Sequence, residues 1–356
     1  MVDFIRYAIV IYLRVTMPHF GFPLETLVIF FCVVLASIYL DLVAHKNSTE
    51  ITVSNSAKWS VFWFCLAIGF YAYVWVRFSK AWADLYLAGY MLEKSLSVDN
   101  LIVFMAIFSS FGIKGILQHR ILYWGILGAL VFRAVFVVIG TGLFLASPWI
   151  GFLFAAFVAW SAVKMLQRSK DDETIEDFSD HWSVRLTGKL MPIYTQLYLH
   201  RFFIKHWEFQ TNDQLDKSRI TRSGTIHATP AFLCLMAIET SDIAFSFDSV
   251  PAVIAVTQEP LLVYAAMIFA ILGLRSLYFV LAALTRYLVH LEKAVIALLF
   301  FIAVKMALQS WNHAVGDSGF HISPGASLLV VFGLLTAGVV VSLLFPTQPV
   351  SIHQDE

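Results

Sequence analysis

Nine long apolar stretches, at about 23–43, 60–79, 85–110, 121–146, 149–167, 229–256, 261–285, 293–311 and 326–345, are separated by short segments that hold most of the Lys and Arg. Each is near the roughly 20 residues an α-helix needs to cross a bilayer, and none shows the strict polar–apolar alternation of a strand. The pattern predicts an all-α polytopic membrane protein with about nine transmembrane helices. A shorter run from Ala8 to Leu13, flanked by Arg6 and Arg14, is too short to span and lacks a small-residue cleavage site, so it reads as interfacial.

Composition supports this reading. Of 356 residues, 59% are hydrophobic and 13% charged, about half the charge of a soluble domain. The 32 Phe and 10 Trp suit lipid-facing spans and interfacial belts. A formal net charge of +0 gives no sign of a nucleic-acid partner. Cys32, Cys65 and Cys234 all lie in apolar stretches without a CxxC pair, which indicates neither a disulfide framework nor a thiolate metal site. Lys and Arg gather in a long segment between Arg168 and Arg222 and are missing near 147, 258 and 315–325. By the positive-inside bias that segment is cytoplasmic, with the N-terminus outside and the C-terminus inside.

Two segments break the apolar pattern in the same way. Glu93-Lys-Ser-Leu-Ser-Val-Asp99-Asn100 and Asp242-Ile-Ala-Phe-Ser-Phe-Asp248-Ser249 each set acids six positions apart, and Glu239 precedes the second. A charge at the centre of a spanning helix costs roughly 2.5–3.5 kcal/mol on insertion scales, so acids placed there point to function. Each segment is followed by a Gly/Arg-containing span, Leu127-Gly-Ala-Leu-Val-Phe-Arg133 and Leu272-Gly-Leu-Arg275. Each then leads to the tetrapeptide Ala-Val-Lys-Met at Lys164 and Lys305, 31 and 30 positions beyond the respective arginine. A duplicated unit of three spans ends on the opposite face from its start, so the second copy inserts upside down. The expected organisation is residues 1–83 as an N-terminal segment with two spans, 84–168 as the first three-helix repeat, 169–228 as a cytoplasmic loop, 229–312 as the second, inverted repeat, and 313–356 as a last span and tail. Sites in such inverted repeats lie at the repeat interface near the midplane.

The runs Gly89–Asn100, Glu239–Ala252 and Phe269–Phe279 resemble the TerC family of bacterial membrane proteins over nearly the whole chain, and within it the Alx-type members most of all. The resemblance implies a bacterial inner-membrane location and export of Mn²⁺ from the cytoplasm, within a wider superfamily of LysE-like exporters. Ser246 departs from the pattern, where a small apolar residue is expected.

The residues agree with that implication. Mn²⁺ prefers oxygen ligands in octahedral arrangements, and the acidic segments offer only oxygen donors. Asp99, Asn100 and Asp248 are the foremost candidate ligands, then Asp242 and Glu239, then Glu93, with Ser249 beside them. Arg133 and Arg275 are expected to pair with the acids. Glu93, Glu239 and Asp242 read alternatively as charges at helix ends. At about 100° per residue, positions 93 and 100 share a face, as do 242 and 249, while 99 and 248 lie roughly 120° away. Pro251 suggests a broken sixth span that would free backbone oxygens; Lys164 and Lys305 read as anchors at span ends; an amphipathic surface helix is expected near 182–204 after the acidic run Asp171–Asp177. No permanently bound cofactor is expected, and the partners are the bilayer and a divalent cation. The alternatives are a membrane scaffold that assists metallation or assembly of other proteins, and a tellurite-resistance determinant; an intramembrane hydrolase lacks a nucleophile–His pair in the spans.

Overall fold

The computed structural model describes residues 22–44, 53–171, 181–198, 201–211, 215–257, 259–284, 291–314 and 322–344. The interfacial run at 8–13 and most of the acidic run at 171–177 lie outside these residues. The helices in chain order are α1 (Leu24–Ala44), α2 (Val53–Arg77), α3 (Lys80–Ser110), α4 (Ile116–Ala146), α5 (Pro148–Asp171), α6 (Trp182–Leu190), α7 (Glu208–Thr211), α8 (Pro230–Thr257), α9 (Pro260–Ile271), α10 (Leu274–Leu284), α11 (Leu291–Ala314) and α12 (Pro324–Leu344). A two-stranded antiparallel ribbon, β1 (Phe203–Lys205) with β2 (Ile226–Ala228), lies in the long connection between α5 and α8.

The chain is an all-α polytopic membrane protein, and among the described residues length and composition identify six spans, or seven, rather than nine. Six helices qualify (α2, α4, α5, α8, α11 and α12), and the bent pair α9–α10 makes a seventh if it is one span. Of the remaining two, α1 has only the shorter apolar stretch Glu25–Leu40, and α3 carries Lys80, Asp84, Glu93, Lys94 and Asp99 along its 31 residues. At 1.5 Å per residue α3 is about 46 Å long, more than the ~30 Å hydrocarbon core requires. It starts sharply, with the Ser79 hydroxyl accepting a hydrogen bond from the Trp82 N–H.

Two further expectations are corrected. Helix α8 runs without interruption through Pro251, so the sixth span is not broken there. The break falls in the next span, where Leu272 and Gly273 separate α9 from α10 and turn the chain by 49°. Gly273 has φ +79°, and a Cβ on it would collide with Trp63 of α2, so both backbone and space require glycine. The amphipathic helix expected over 182–204 ends at Leu190, because Pro192 disfavours helical backbone at Met191, which is extended (φ −144°, ψ 153°).

The interior has two large apolar clusters. One gathers Leu92 and Leu96 of α3, Val137 of α4, Val250–Val256 of α8, much of α9, and Leu298–Met306 of α11. The other gathers Leu101–Phe108 of α3, Leu117–Leu122 of α4, Ala231–Ile238 of α8, and Leu274–Leu281 of α10. On α3, α4 and α8 alike, one cluster gives way to the other near the buried charges. Among the spanning helices, α3 packs on α8, α5 on α11, α4 on α8 and α9 on α3.

Candidate functional site

Glu93 lies thirteen residues into α3, Asp242 twelve residues into α8, and both are buried. Arg133 of α4 lies between them, 2% exposed. Its Nη1 pairs with Glu93 Oε1, and its Nη2 donates to Asp242 Oδ1 at 3.1 Å. One guanidinium thus ties together three helices through acids that occupy matching positions of the two acidic segments. Arginine suits this place because it presents a rigid fork of donors and remains charged when buried. The reading of Glu93, Glu239 and Asp242 as helix-end charges does not hold: each lies well inside its helix.

The matching extends beyond the acids. Ser97 Oγ donates to the Glu93 carbonyl oxygen, and Ser246 Oγ donates to the Asp242 carbonyl oxygen, both at 2.8 Å. Ser246, which departs from the expected apolar residue, therefore corresponds to Ser97 in position and in bonding. Each hydroxyl bonds back to the turn before it, a contact that satisfies serine inside an apolar helix. Asn100 and Ser249 are also buried, on the faces that helical spacing assigns to Glu93 and Asp242.

Glu239 adds a third carboxylate. Its oxygens occupy the space that a Cβ on Gly128 of α4 would fill, so the glycine admits the acid against the helix that carries Arg133. Asp242 Oδ2, Glu239 Oε2 and Ser249 Oγ are buried without a hydrogen-bond partner among the described residues. A small cavity lined by Phe104, Gly125, Ala129, Arg133, Ile238 and Asp242 opens beside the ion group. Of these residues Asp242 lines the cavity, and unsatisfied buried oxygens are the donor type a hard cation uses. Among the described residues, however, no three His, Cys, Asp or Glu side chains are grouped as metal ligands. As it stands, the guanidinium fills the place between the acids.

The backbones of Asp99 and Asp248 belong to α3 and α8, and their side chains lie outside what the structure describes. Arg275 is buried in the first turn of α10, directly after the Gly273 bend. Lys164 is exposed, with its ammonium 5.4 Å from the centre of the Trp160 ring, as an interfacial anchor would be. Lys305 is not an anchor. It is 2% exposed, fourteen residues into α11, and donates to the Val256 carbonyl in the last turn of α8 at 3.3 Å.

Sequence reasoning passed over Lys94. Its Nζ donates to the Ala270 carbonyl at 3.0 Å, in the last turn of α9 just before the bend. Lys94 and Lys305 therefore both bring a cation to a helix C-terminus, where carbonyls lack partners and the helix dipole is negative. A lysine next to Glu93 in an apolar run was the available signal.

A family model described as the integral membrane protein TerC family matches residues 78–348. The tellurium resistance protein TerC of Serratia marcescens is 46% identical to this chain over 338 residues, covering 94% of this chain and 97% of that protein. Its namesake from an Alcaligenes species is 46% identical over 337 residues, covering 93% and 97%. An Escherichia coli K12 protein, provisionally named as the membrane-bound redox modulator Alx, is 33% identical over 319 residues, covering 87% and 90%. Similarity to the two TerC proteins thus exceeds that to Alx, the reverse of the order that the sequence motifs suggest. No solved structure matches.

Proposed function

Because this chain belongs to the TerC family of integral membrane proteins, we propose that it is a bacterial inner-membrane transporter that exports divalent cations, Mn²⁺ foremost, through the acids that face one another across α3 and α8. The observation that carries the reading is the buried Glu93–Arg133–Asp242 group, which joins corresponding positions of the two acidic segments. Acids at this depth need a purpose, because desolvating each costs several kcal/mol. The packing of α3 on α8, α5 on α11, α4 on α8 and α9 on α3 is the reciprocal set that two related three-helix units produce, and it supports an inverted repeat with the site at its interface.

Arg133 then acts as a tethered place-holder. When no ion is bound, its guanidinium offsets part of the charge of Glu93 and Asp242. An incoming divalent cation takes the carboxylate oxygens and frees the fork, which loosens the tie between α3, α4 and α8. The Gly273 bend and Arg275 beyond it give the second unit a joint about which the packing can change. Asp99, Asn100, Asp248, Ser249 and Glu239 complete the oxygen set as the helices rearrange.

The purified full chain in liposomes tests this reading. Radioactive manganese should accumulate against a competing-ion series, and Glu93→Gln, Asp242→Asn, Asp99→Asn and Asp248→Asn should each abolish uptake while the protein still elutes as a folded species. Tellurite, the anion class suggested by relatives named for tellurium resistance, should not move, because a pocket rich in carboxylates repels it. Movement of tellurite with an untouched manganese gradient would overturn the proposal. Loss of manganese resistance in cells without any flux in liposomes would point instead to a scaffold that assists metallation of other proteins.

A further inference from the structure

Helix α6 buries the wrong residues for a helix that simply rests on protein. Its small polar residues, Ser183 and Thr187, are buried, and the helix packs on α8. Trp182, Leu186 and Leu190, at successive four-residue spacing, are 58%, 47% and 75% exposed. A surface helix in water shows the reverse arrangement, because apolar area left in water costs about 25 cal/mol per Å². An apolar stripe one position round from the protein contact calls for a covering that lies beside the protein.

The position of α6 identifies that covering. The segment from 181 to 228 is fastened to the end of a spanning helix: β2 ends two residues before α8 begins, and the Phe203 ring of β1 lies 4.5 Å from that of Phe232 in the first turn of α8. The stripe is therefore held at the level where α8 leaves the bilayer. Arg185 and Lys189 are exposed next to it, and Arg222 reaches the same end of the helix by donating to the Lys189 carbonyl at 3.4 Å. Tryptophan and leucine on one face, with arginine and lysine on the flank, match an acyl-chain boundary below and anionic headgroups above.

We propose that α6 lies in the membrane interface, with Trp182, Leu186 and Leu190 among the acyl chains and Arg185 and Lys189 on anionic phospholipid headgroups. Helix α6 then fastens the start of α8, which carries the second acidic segment, to the lipid surface. Nothing in this inference depends on which ion is carried.

Site-directed spin labelling of the full chain in nanodiscs tests it. With Cys32, Cys65 and Cys234 replaced by serine, a label at Leu186→Cys should be several-fold more accessible to oxygen than to a water-soluble nickel chelate, and a label at Arg219→Cys should show the opposite. Adding phosphatidylglycerol to phosphatidylcholine nanodiscs should deepen the Leu186 label, and Arg185→Gln with Lys189→Gln should remove that shift. Because the variants could fold poorly, hydrogen exchange of the unaltered protein gives a second reading: α6 amides should exchange several-fold more slowly in phosphatidylglycerol nanodiscs than in phosphatidylcholine. Ready access of the nickel chelate to the Leu186 label would overturn the proposal, as would shielding of that label that persists unchanged in detergent, which would indicate a protein covering. Exchange independent of lipid charge would overturn the headgroup assignment.

Discussion

Without Arg133, Glu93 and Asp242 would be two carboxylates buried among apolar side chains, with no other cation paired to them among the described residues. Removing one partner of a buried ion group costs about 3–5 kcal/mol, because the charge left behind has neither water nor a mate. Arg133→Gln should therefore destabilise the protein by that amount in thermal unfolding in detergent. Adding Glu93→Gln and Asp242→Asn should restore most of the loss, since no charge then remains to be compensated; a triple variant no more stable than Arg133→Gln would show that the acids are compensated elsewhere. Arg133→Lys keeps the charge but cannot fork between two acids, so it should fall between the unaltered protein and Arg133→Gln. The acids, the arginine and their repetition were all legible in the sequence. Their order of depth was not, because the apolar stretch begins at about 85 and so places Glu93 near an end. The helix in fact begins at Lys80 behind the Ser79 cap, which moves Glu93 close to its midpoint.

At the scale of elements, the bend between α9 and α10 depends on one residue. Gly273→Ala should cost about 1–2 kcal/mol for a left-handed backbone alone, and more because the new methyl meets Trp63. Trp63→Ala in the Gly273→Ala background should recover the steric part and leave the backbone part, as a double-mutant cycle in thermal stability would show. Equal losses with and without Trp63 would mean that the contact is unimportant. The sequence pointed to Pro251 as the breaker, by the rule that proline removes a helix hydrogen bond. Inside a bundle, packing from neighbouring helices tolerates that loss, and α8 passes through. Gly273 was visible only as a repeat marker; the close approach of Trp63 of α2 to it is a long-range contact that no local pattern encodes.

At the scale of the molecule, the Lys/Arg asymmetry leads to an orientation that can be checked. A cysteine at Lys205, exposed on β1, should resist an impermeant maleimide in intact cells and react once the membrane is opened, while one at residue 318 should react from outside. Labelling of position 205 in intact cells would invert the topology and with it the direction assigned to transport. Hydropathy was a good guide to overall architecture; length and composition leave the count of nine unconfirmed among the described residues, because a helix such as α3 gives up apolar surface to the charges it carries.

The tie between the acids also has an electrical consequence. The ion-paired Glu93, Asp242 and Arg133 together carry −1, and a divalent ion adds two charges while Arg133 stays within the protein. On the export reading, the loaded and the returning step differ by those two charges, so they cannot both be electrically silent. A unit of charge that crosses fully against a potential negative inside costs about 2.3 kcal/mol per 100 mV. The charge that an arginine keeps in the site thus sets how the work against the membrane voltage is shared between the two halves of the cycle.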